Sequence, residues 1–593
     1  MIYFLCPKIS KINSAIWKNF YDGAYRVLKS FKPHNITEIK DLNSFSLERA
    51  SSQDVLIFFN SNENIYGLKK ILEEGKKKKI GIFPISTSES NRNPIEIIDE
   101  FQSFDIVKEK KLRGLDDNYM ELLGECFGRE IIIKHYPAFF DEKIEIFLSH
   151  RRKDGEDLAD TFQKFCHHEK ETVFIDLHEV RVGMNAQKEI NEKLTNKTDL
   201  VIFIQTKATL ESIYQLKELK KAFELSLPIL WVTVGLEKDK EFKELKLHPA
   251  GKPHFELDEL EPSEITKIIN CGFTMIKLKR QRLLDDVIYK FKTLKSKGIN
   301  YKEICDRNNI YHIRQILNDG VFNKQTEQER LIKCLCRKYK NEDISELKGH
   351  LKDIYRENCI LSLESESKEL EKNIYLANYD DFLEDPKSEI EGAIIITGSF
   401  PESIDLKYQQ NIIDALYTLI KEILARNGKI IFGSHPTFQG VILEKAKNLN
   451  LEYKNKIKLY VSKQFEGKYD IEYFKENSDV HEIEAASTKE ISDSLTKMRE
   501  AMINDNEVIA LICVGGKESP TSLTNKPGID EEINLARKRE IPIYILGSTG
   551  GRSKELIEEG FQNNLKTEEE IEEVSHGYNF KYISEIILES LSK

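Results

Sequence analysis

No apolar run in this 593-residue chain approaches the roughly 18–20 residues needed to cross a bilayer. The opening MIYFLCPKIS lacks the basic lead, long apolar segment and small-residue cleavage site of a secretion signal, so it reads as a buried strand that starts at once. An excess of positive charge is also missing. Lys and Arg number 89 against 100 Asp and Glu, a formal charge of -11, which argues against a chain that coats nucleic acid through bulk charge. Cysteine is present without a pairing pattern: Cys6, Cys126, Cys166, Cys271, Cys305, Cys334, Cys336, Cys359 and Cys513 are odd in number, scattered and free of C-x-x-C pairs. That usage fits a reducing cytoplasm and excludes a disulfide framework. Cys166-His167-His168 resembles a metal fragment, but no second ligand pair lies at zinc spacing, so it reads as a helix end and no metal is expected. The expectation is a cytoplasmic chain with neither a membrane nor a nucleic acid as partner.

What is present is apolar patterning along the whole length, enough for roughly three to five units at about 100–200 residues each. In residues 1–135 the runs IYFLC (2–6), VLIFF (55–59) and IGIFPIS (80–86) alternate with helical stretches near 14–31 and 66–75. Continuous apolar runs of that length suit strands covered on both faces, so this is an α/β unit, with no nameable chemistry. Lys76–Lys79 reads as a solvated helix end. A second α/β unit, 142–250, starts at IEIFLSH and continues through TVFID, DLVIFIQ and PILWVTV, with helices over 184–194 and 211–225. Pro249, Gly251, Pro253 and Pro262 mark its exit.

From 263 to 375 the strands are expected to stop. Leu284, Val287, Ile288, Phe291 and Leu294 recur at helical spacing. GINYKEICDRNNIYHIRQIL (298–317) has the look of two short helices and a turn, a pattern shared by DNA-reading helix-turn-helices and by ordinary helical connectors, and LESESKELEKN (363–373) reads as a polar linker. The last unit, 385–593, has five strand candidates at 393–399, 429–435, 456–462, 507–516 and 541–549, four of them ending in a glycine turn. Such turns at the carboxyl edge of a parallel sheet make a nucleotide cradle. The predicted fold is therefore a multidomain α/β chain: three doubly wound, flavodoxin- or Rossmann-like parallel-sheet units and a helical connector.

Three boxes in order give the second unit a resemblance. Phe147-Leu148-Ser149-His150 ends its first strand and is followed by Arg151 and Asp154. Asp176 ends the second strand, before a loop closed by Gly183. Ser212-Ile213-Tyr214-Gln215-Leu216-Lys217-Glu218-Leu219 opens its third helix. Residues 142–245 thus resemble a TIR domain. Enzymatic TIR domains cleave NAD+ between ribose and nicotinamide, and the resemblance places their catalytic glutamate on Glu218. Ser149, His150, Arg151, Asp176, Ser212 and Tyr214 are then expected to border the NAD+. One carboxylate suffices for this chemistry: it stabilises the oxocarbenium-like ribose, while nicotinamide leaves without protonation because its ring nitrogen is already cationic. NAD+ would be a substrate, and no cofactor is expected. Two departures stand out, Tyr214 for the usual Trp and Gln215 for the usual Cys. The plain alternative for Glu218, within KELKK, is a helix-surface partner of Lys217 or Lys221.

Residues 390–560 resemble the SLOG superfamily of nucleotide binders, in the branch attached to TIR and sirtuin-like effectors of bacterial anti-phage systems such as Thoeris. The positions carrying the likeness are Gly398-Ser399, Gly433-Ser434-His435, Arg499, Gly515-Gly516, Glu531-Glu532 and Gly547-Ser548. Arg499 and Arg552 read either as ligand contacts or as surface residues. Phosphoribohydrolase relatives have a compact PGGxGTxxE, whereas here KESPTSLTNK separates Gly516 from PGIDEE, which favours binding over hydrolysis. The pairing implies an NAD+-consuming defence effector switched on by a cyclic ADP-ribose-type nucleotide made by a partner TIR protein, and self-associating into oligomers or filaments. The alternative is a non-enzymatic TIR scaffold with a nucleotide-sensing domain.

Overall fold

The computed structural model describes the chain apart from residues 6–13, 30–35, 43, 61–64, 89–95, 141–143, 169–171, 176–185, 207–208, 210–211, 235–253, 297–298, 306–308, 320–323, 352–356, 365, 380–381, 383–386, 402–405, 434, 450–451, 466–470, 489, 519–526 and 592–593. It divides into two compact units, 1–144 with 164–172 and 260–384, and 145–163 with 173–259 and 385–593. Among the described residues no helix is long and apolar enough to cross a membrane.

The first sheet comprises β1 (Ile2–Leu5), β2 (Ile36–Ile39), β3 (Val55–Asn60), β4 (Gly81–Ser86) and β5 (Phe104–Asp105), in the order β2-β1-β3-β4-β5. The second comprises β6 (Glu145–Ser149), β7 (Thr172–Ile175), β8 (Leu200–Gln205), β9 (Ile229–Val234) and β10 (His254–Leu257), in the order β10-β9-β8-β6-β7. Counted from its own first strand, each follows the flavodoxin-like 2-1-3-4-5 order. Strands β3, β8 and β9 are buried at every residue, which is why they read as unbroken apolar runs.

The expected helical connector is corrected. The helix over Pro262–Ser296 is there, but it leads into a third sheet of β11 (Ile299–Cys305), β12 (Ile310–Asp319), β13 (Lys324–Cys334), β14 (Asn358–Ser362), β15 (Lys368–Glu371) and β16 (Ile374–Asn378). The stretch with a helix-turn-helix look lies on β11 and β12, paired antiparallel, and the supposed polar linker contains β15. The pattern expected over 298–317 is two short helices and a turn. Pairing overrode it: Tyr311 and Ile313, on one face of β12, are 2% and 0% exposed, and Tyr311 and His312 lie opposite Ile332 and Leu331.

The fourth sheet holds β17 (Ala393–Ser399), β18 (Lys429–Gly433), β19 (Ile457–Ser462), β20 (Asp479–Ile483), β21 (Val508–Gly515) and β22 (Ile543–Leu546), all parallel, in the order β20-β19-β18-β17-β21-β22. All five predicted strands are found. The sixth, β20, is a polar edge strand, DVHEI, that apolar patterning misses. The order reverses between β17 and β21, and in open parallel sheets ligands lie beyond the carboxyl ends of such a pair.

The first two sheets agree residue by residue. Ile2 to Leu5 pair with Val55 to Phe58, and Ile146 to Ser149 pair with Leu200 to Phe203. Asp54 and Asp199, just before β3 and β8, each accept from a backbone nitrogen at the start of the neighbouring strand, that of Met1 and that of Glu145. In this register Leu5 stands where Ser149 stands in the second sheet.

Candidate functional site

In the second sheet Ser149 ends β6 and is 1% exposed. The helix Ile213–Glu224 follows β8, and its N-cap is Ser212, whose hydroxyl accepts the Gln215 N–H at 3.2 Å. Gln215, Glu218, Leu219, Ala222 and Phe223 form its buried stripe. Gln215 Nε2 donates to the Ile204 carbonyl at 2.8 Å and reaches the Ser149 carbonyl at 3.4 Å, tying the first turn to the ends of β8 and β6. One turn further on, the Ser149 hydroxyl donates to Glu218 Oε2 at 2.7 Å. Glu218 is only 4% exposed, so it does not lie on the helix surface, and Lys221 pairs with Glu224 at 3.0 Å. The carboxylate thus sits where strand order reverses, between β6 and β8.

His150 is 9% exposed and Arg151 half-buried, directly after Ser149. Tyr214 is 65% exposed beside Ile213 at 68%, so it lies on the outer rim, with the Lys217 ammonium 5.6 Å from its ring centre. Asp176 and Gly183 lie outside the described residues. Sequence reasoning treated Gln215 only as a departure; its work, anchoring the helix, shows only once β8 is in place. The Thr206 hydroxyl donates to Asp154 Oδ1 at 2.6 Å and joins the loop after β8 to the helix after β6, a pairing with no local sequence signal.

In the fourth sheet the predicted glycines gather at the reversal. Gly516 N–H donates to the Ser399 carbonyl at 2.7 Å, and Gly515 N–H to Thr549 Oγ1 at 2.8 Å, so the β17 and β21 turns meet. Gly398 has φ 142°, and a Cβ there would lie 1.9 Å from the Val514 carbonyl oxygen; at Gly516, φ 99°, it would lie 2.2 Å from Ile529 Cδ1. Only glycine fits either place. Glu531 and Glu532, in the first turn and a half of the helix Gly528–Lys538, share Arg499: Nε lies 3.3 Å from Glu532 Oε1, and the other contact is Nη1 to Glu531. Thr397 and Thr496 donate to Glu532 and Glu531 respectively. Burial pushes the Glu532 carboxyl above the usual range despite Arg499. Burial also pushes the half-buried His435 imidazole down to about 4, with the Lys517 and Arg499 charges adding to the effect, so at neutral pH it is uncharged.

Arg499 and Arg552 are not surface residues: each side chain is 12–14% exposed and ion-paired, Arg552 to Asp530 at 2.9 Å. Gly433 and His435 flank Ser434, which lies outside the described residues, as does 519–526 of the insertion. Gly547 and Ser548 are buried in the turn after β22, where the Asn411 amide donates to the Ser548 carbonyl.

Comparison with known families agrees with both placements. Residues 146–264 match the TIR domain model, and residues 408–579 match the SLOG cluster3 family. The chain carries a TIR domain and a SLOG domain. The SLOG match begins after β17, so the strand that supplies Gly398 and Ser399 is placed in the domain by its pairing with β18 and β21. Among solved structures, a protein from Silicibacter pomeroyi DSS-3 described as a phosphosugar isomerase matches 47% of this chain and 85% of its own, at 6% identity and TM-score 0.15, values that carry no argument. No match was found among curated proteins.

Proposed function

We propose that the TIR domain hydrolyses NAD+ to nicotinamide and ADP-ribose, or a cyclic form of it. Glu218 is the catalytic carboxylate, and a cyclic ADP-ribose-type nucleotide held by the SLOG domain controls the reaction, in a cytoplasmic bacterial anti-phage effector that self-associates. The observation that carries this reading is the buried Glu218 carboxylate, held by the Ser149 hydroxyl at 2.7 Å at the strand-order reversal of the TIR sheet. The C1–N bond of the nicotinamide ribose breaks with its electron pair going to the ring nitrogen, which neutralises the pyridinium. Positive charge develops on the ribose beside Glu218, and water, or a ribose hydroxyl in a cyclising reaction, adds to C1 and releases a proton. His150, Arg151 and Ser212 border the dinucleotide, with Tyr214 on the rim. In the SLOG domain the turns at Gly398-Ser399, Gly433 to His435, Gly515-Gly516 and Gly547-Ser548 receive the signal's phosphates and ribose, with Arg499, Glu531 and Glu532 as the polar wall.

The test is to incubate the purified chain with NAD+, with and without a panel of cyclic ADP-ribose isomers, and to measure nicotinamide. Release that requires both a nucleotide and Glu218 is the expected result. A nucleotide that binds without any release assigns the chain to the scaffold class, and the exposed Ile213-Tyr214 pair would then be the first recruiting surface to examine.

A further inference from the structure

The Glu218 helix is held at its two ends by different domains. Its first turns rest on TIR strand ends through Gln215 and Glu218. At its carboxyl end Ser226, with φ 54°, closes the helix by donating its N–H to the Phe223 carbonyl, and the Ser226 hydroxyl accepts from Lys445 Nζ at 2.6 Å. Lys445 belongs to the SLOG helix Pro436–Asn448, and its ammonium also lies 5.1 Å from the Tyr417 ring centre. A cation at that position complements the negative end of the Glu218 helix dipole. On the helix flank, Lys220 Nζ lies 4.9 Å from the ring centre of SLOG residue Tyr473. Between these points the apolar contacts are continuous: Leu219, Ala222 and Phe223 belong to one buried cluster with Phe438, Val441 and Ile442.

The same SLOG helix starts at the nucleotide turn. His435 precedes it and accepts the backbone N–H groups of Phe438 and Gln439 at its carbonyl. The Phe438 ring packs against Phe400 at 5.7 Å and lies 3.3 Å from where a side chain on Gly398 would begin. From Pro436 to Lys445 the helix runs about 13 Å, so it forms one rigid bar from the cradle to the end of the Glu218 helix.

We infer that Lys445 and Tyr473 of the SLOG domain are positioning residues for the TIR reaction, through which the SLOG helix sets the seat of Glu218 against Ser149. The inference rests on the proposed NAD+ hydrolysis for its kinetic consequence, while its structural half does not. A nucleotide in the cradle shifts the reaction only by binding one seating of the bar more tightly than another, and couplings of this kind amount to about 5- to 150-fold.

The test uses the full chain with Lys445→Met, which keeps the stem over Tyr417, and Tyr473→Leu, singly and together. Amide hydrogen exchange is followed over Leu219 to Leu227, with β8 and β9 as internal controls, and nicotinamide release is followed with cyclic ADP-ribose as probe. The expected result is at least about 5-fold faster exchange over the last helical turn with the controls unchanged, a kcat lowered about 10-fold or more with KM held, and loss of stimulation by a probe that still binds. Unchanged exchange in the double variant, or faster exchange with kcat intact, overturns the inference. Absence of nicotinamide release from the unsubstituted chain instead sinks the proposed hydrolysis, and exchange over Leu219 to Leu227 on adding the probe then decides the coupling: a change lost in the double variant supports it, and no change refutes it.

Discussion

Replacing Glu218 by glutamine removes one charge and almost no volume, so it separates the electrostatic role of this side chain from its packing. The carboxylate is 4% exposed and accepts the Ser149 hydroxyl at 2.7 Å. Two unit charges about 4 Å apart interact by about 4 kcal/mol at the effective dielectric of a protein interior, against about 1 kcal/mol in water. An oxocarbenium-like ribose carries only part of a unit charge, so loss of the carboxylate raises the barrier by about 3 kcal/mol, or roughly 100- to 1,000-fold in kcat. The ground state has little of that charge at C1, so KM moves by a factor of about three at most. Stability should barely change, because the Ser149 hydroxyl donates to an amide oxygen as well as to a carboxylate. A difference of about 1 kcal/mol corresponds to a melting shift of about 2–4 °C for a unit of this size. Chromatographic assay of nicotinamide at saturating NAD+, beside thermal melting, tests both numbers. A glutamine variant that keeps more than a tenth of the unsubstituted kcat refutes the charge argument. A lost rate accompanied by melting some 10 °C lower would show that the residue acts through the fold.

Three further outcomes follow from the SLOG cradle. Arg499→Ala leaves Glu531 and Glu532 without the guanidinium that both contact, so the domain should lose about 3–5 kcal/mol, read by chemical denaturation, with Arg499→Lys recovering part of it. His435 has its folded pKa depressed from 6.5 to about 4, so the unfolded chain binds more protons between those values. Its contribution is therefore complete above pH 6.5 and falls by up to about 3 kcal/mol as pH drops to 4, and His435→Gln should flatten that part of a stability–pH profile. Gly516→Ala places a methyl against Ile529 at a φ of 99°, and should abolish nucleotide binding by calorimetry and with it the nucleotide-triggered release of nicotinamide.

The sequence was most legible where one residue pattern served one structural demand. Strands such as β3, β8 and β21, covered on both faces, announce themselves as apolar runs, and the Ser212-to-Glu218 box placed a carboxylate that proves to be buried. Legibility failed where stability comes from a neighbour distant in sequence. Strand β12 is chosen by its antiparallel partner β13, and the edge strands β2 and β20 have too few apolar residues to signal themselves. Within the sites, glycine turns were visible as dipeptides. The Arg499 bridge to Glu531 and Glu532, 33 positions from Glu532, and the anchoring of Gln215 on Ile204 were not, because both depend on which helix lands beside which strand.

The N-terminal sheet shows what the TIR site costs. With β1 and β3 in the register of β6 and β8, Leu5 takes the place of Ser149. The buried stripe Leu68, Ile71 and Leu72 of the helix Ile65–Lys77 has the spacing of Gln215, Glu218 and Leu219. Leu5, Leu68, Ile71 and Leu72 share one apolar cluster, so where the TIR domain keeps a hydroxyl, an amide and a carboxylate, this sheet keeps hydrocarbon. A buried polar pair is often no more stable than well-packed apolar residues of similar size, and it is retained where chemistry needs it. Transferring the apolar pair as Ser149→Leu with Glu218→Ile should therefore abolish nicotinamide release and raise TIR stability by about 1–3 kcal/mol, whereas Glu218→Gln alone leaves stability nearly unchanged. Thermal and chemical denaturation of the full chain read the difference. A double variant that melts below the unsubstituted chain would refute the trade, and would mean that the hydroxyl–carboxylate pair is structural rather than a concession to catalysis.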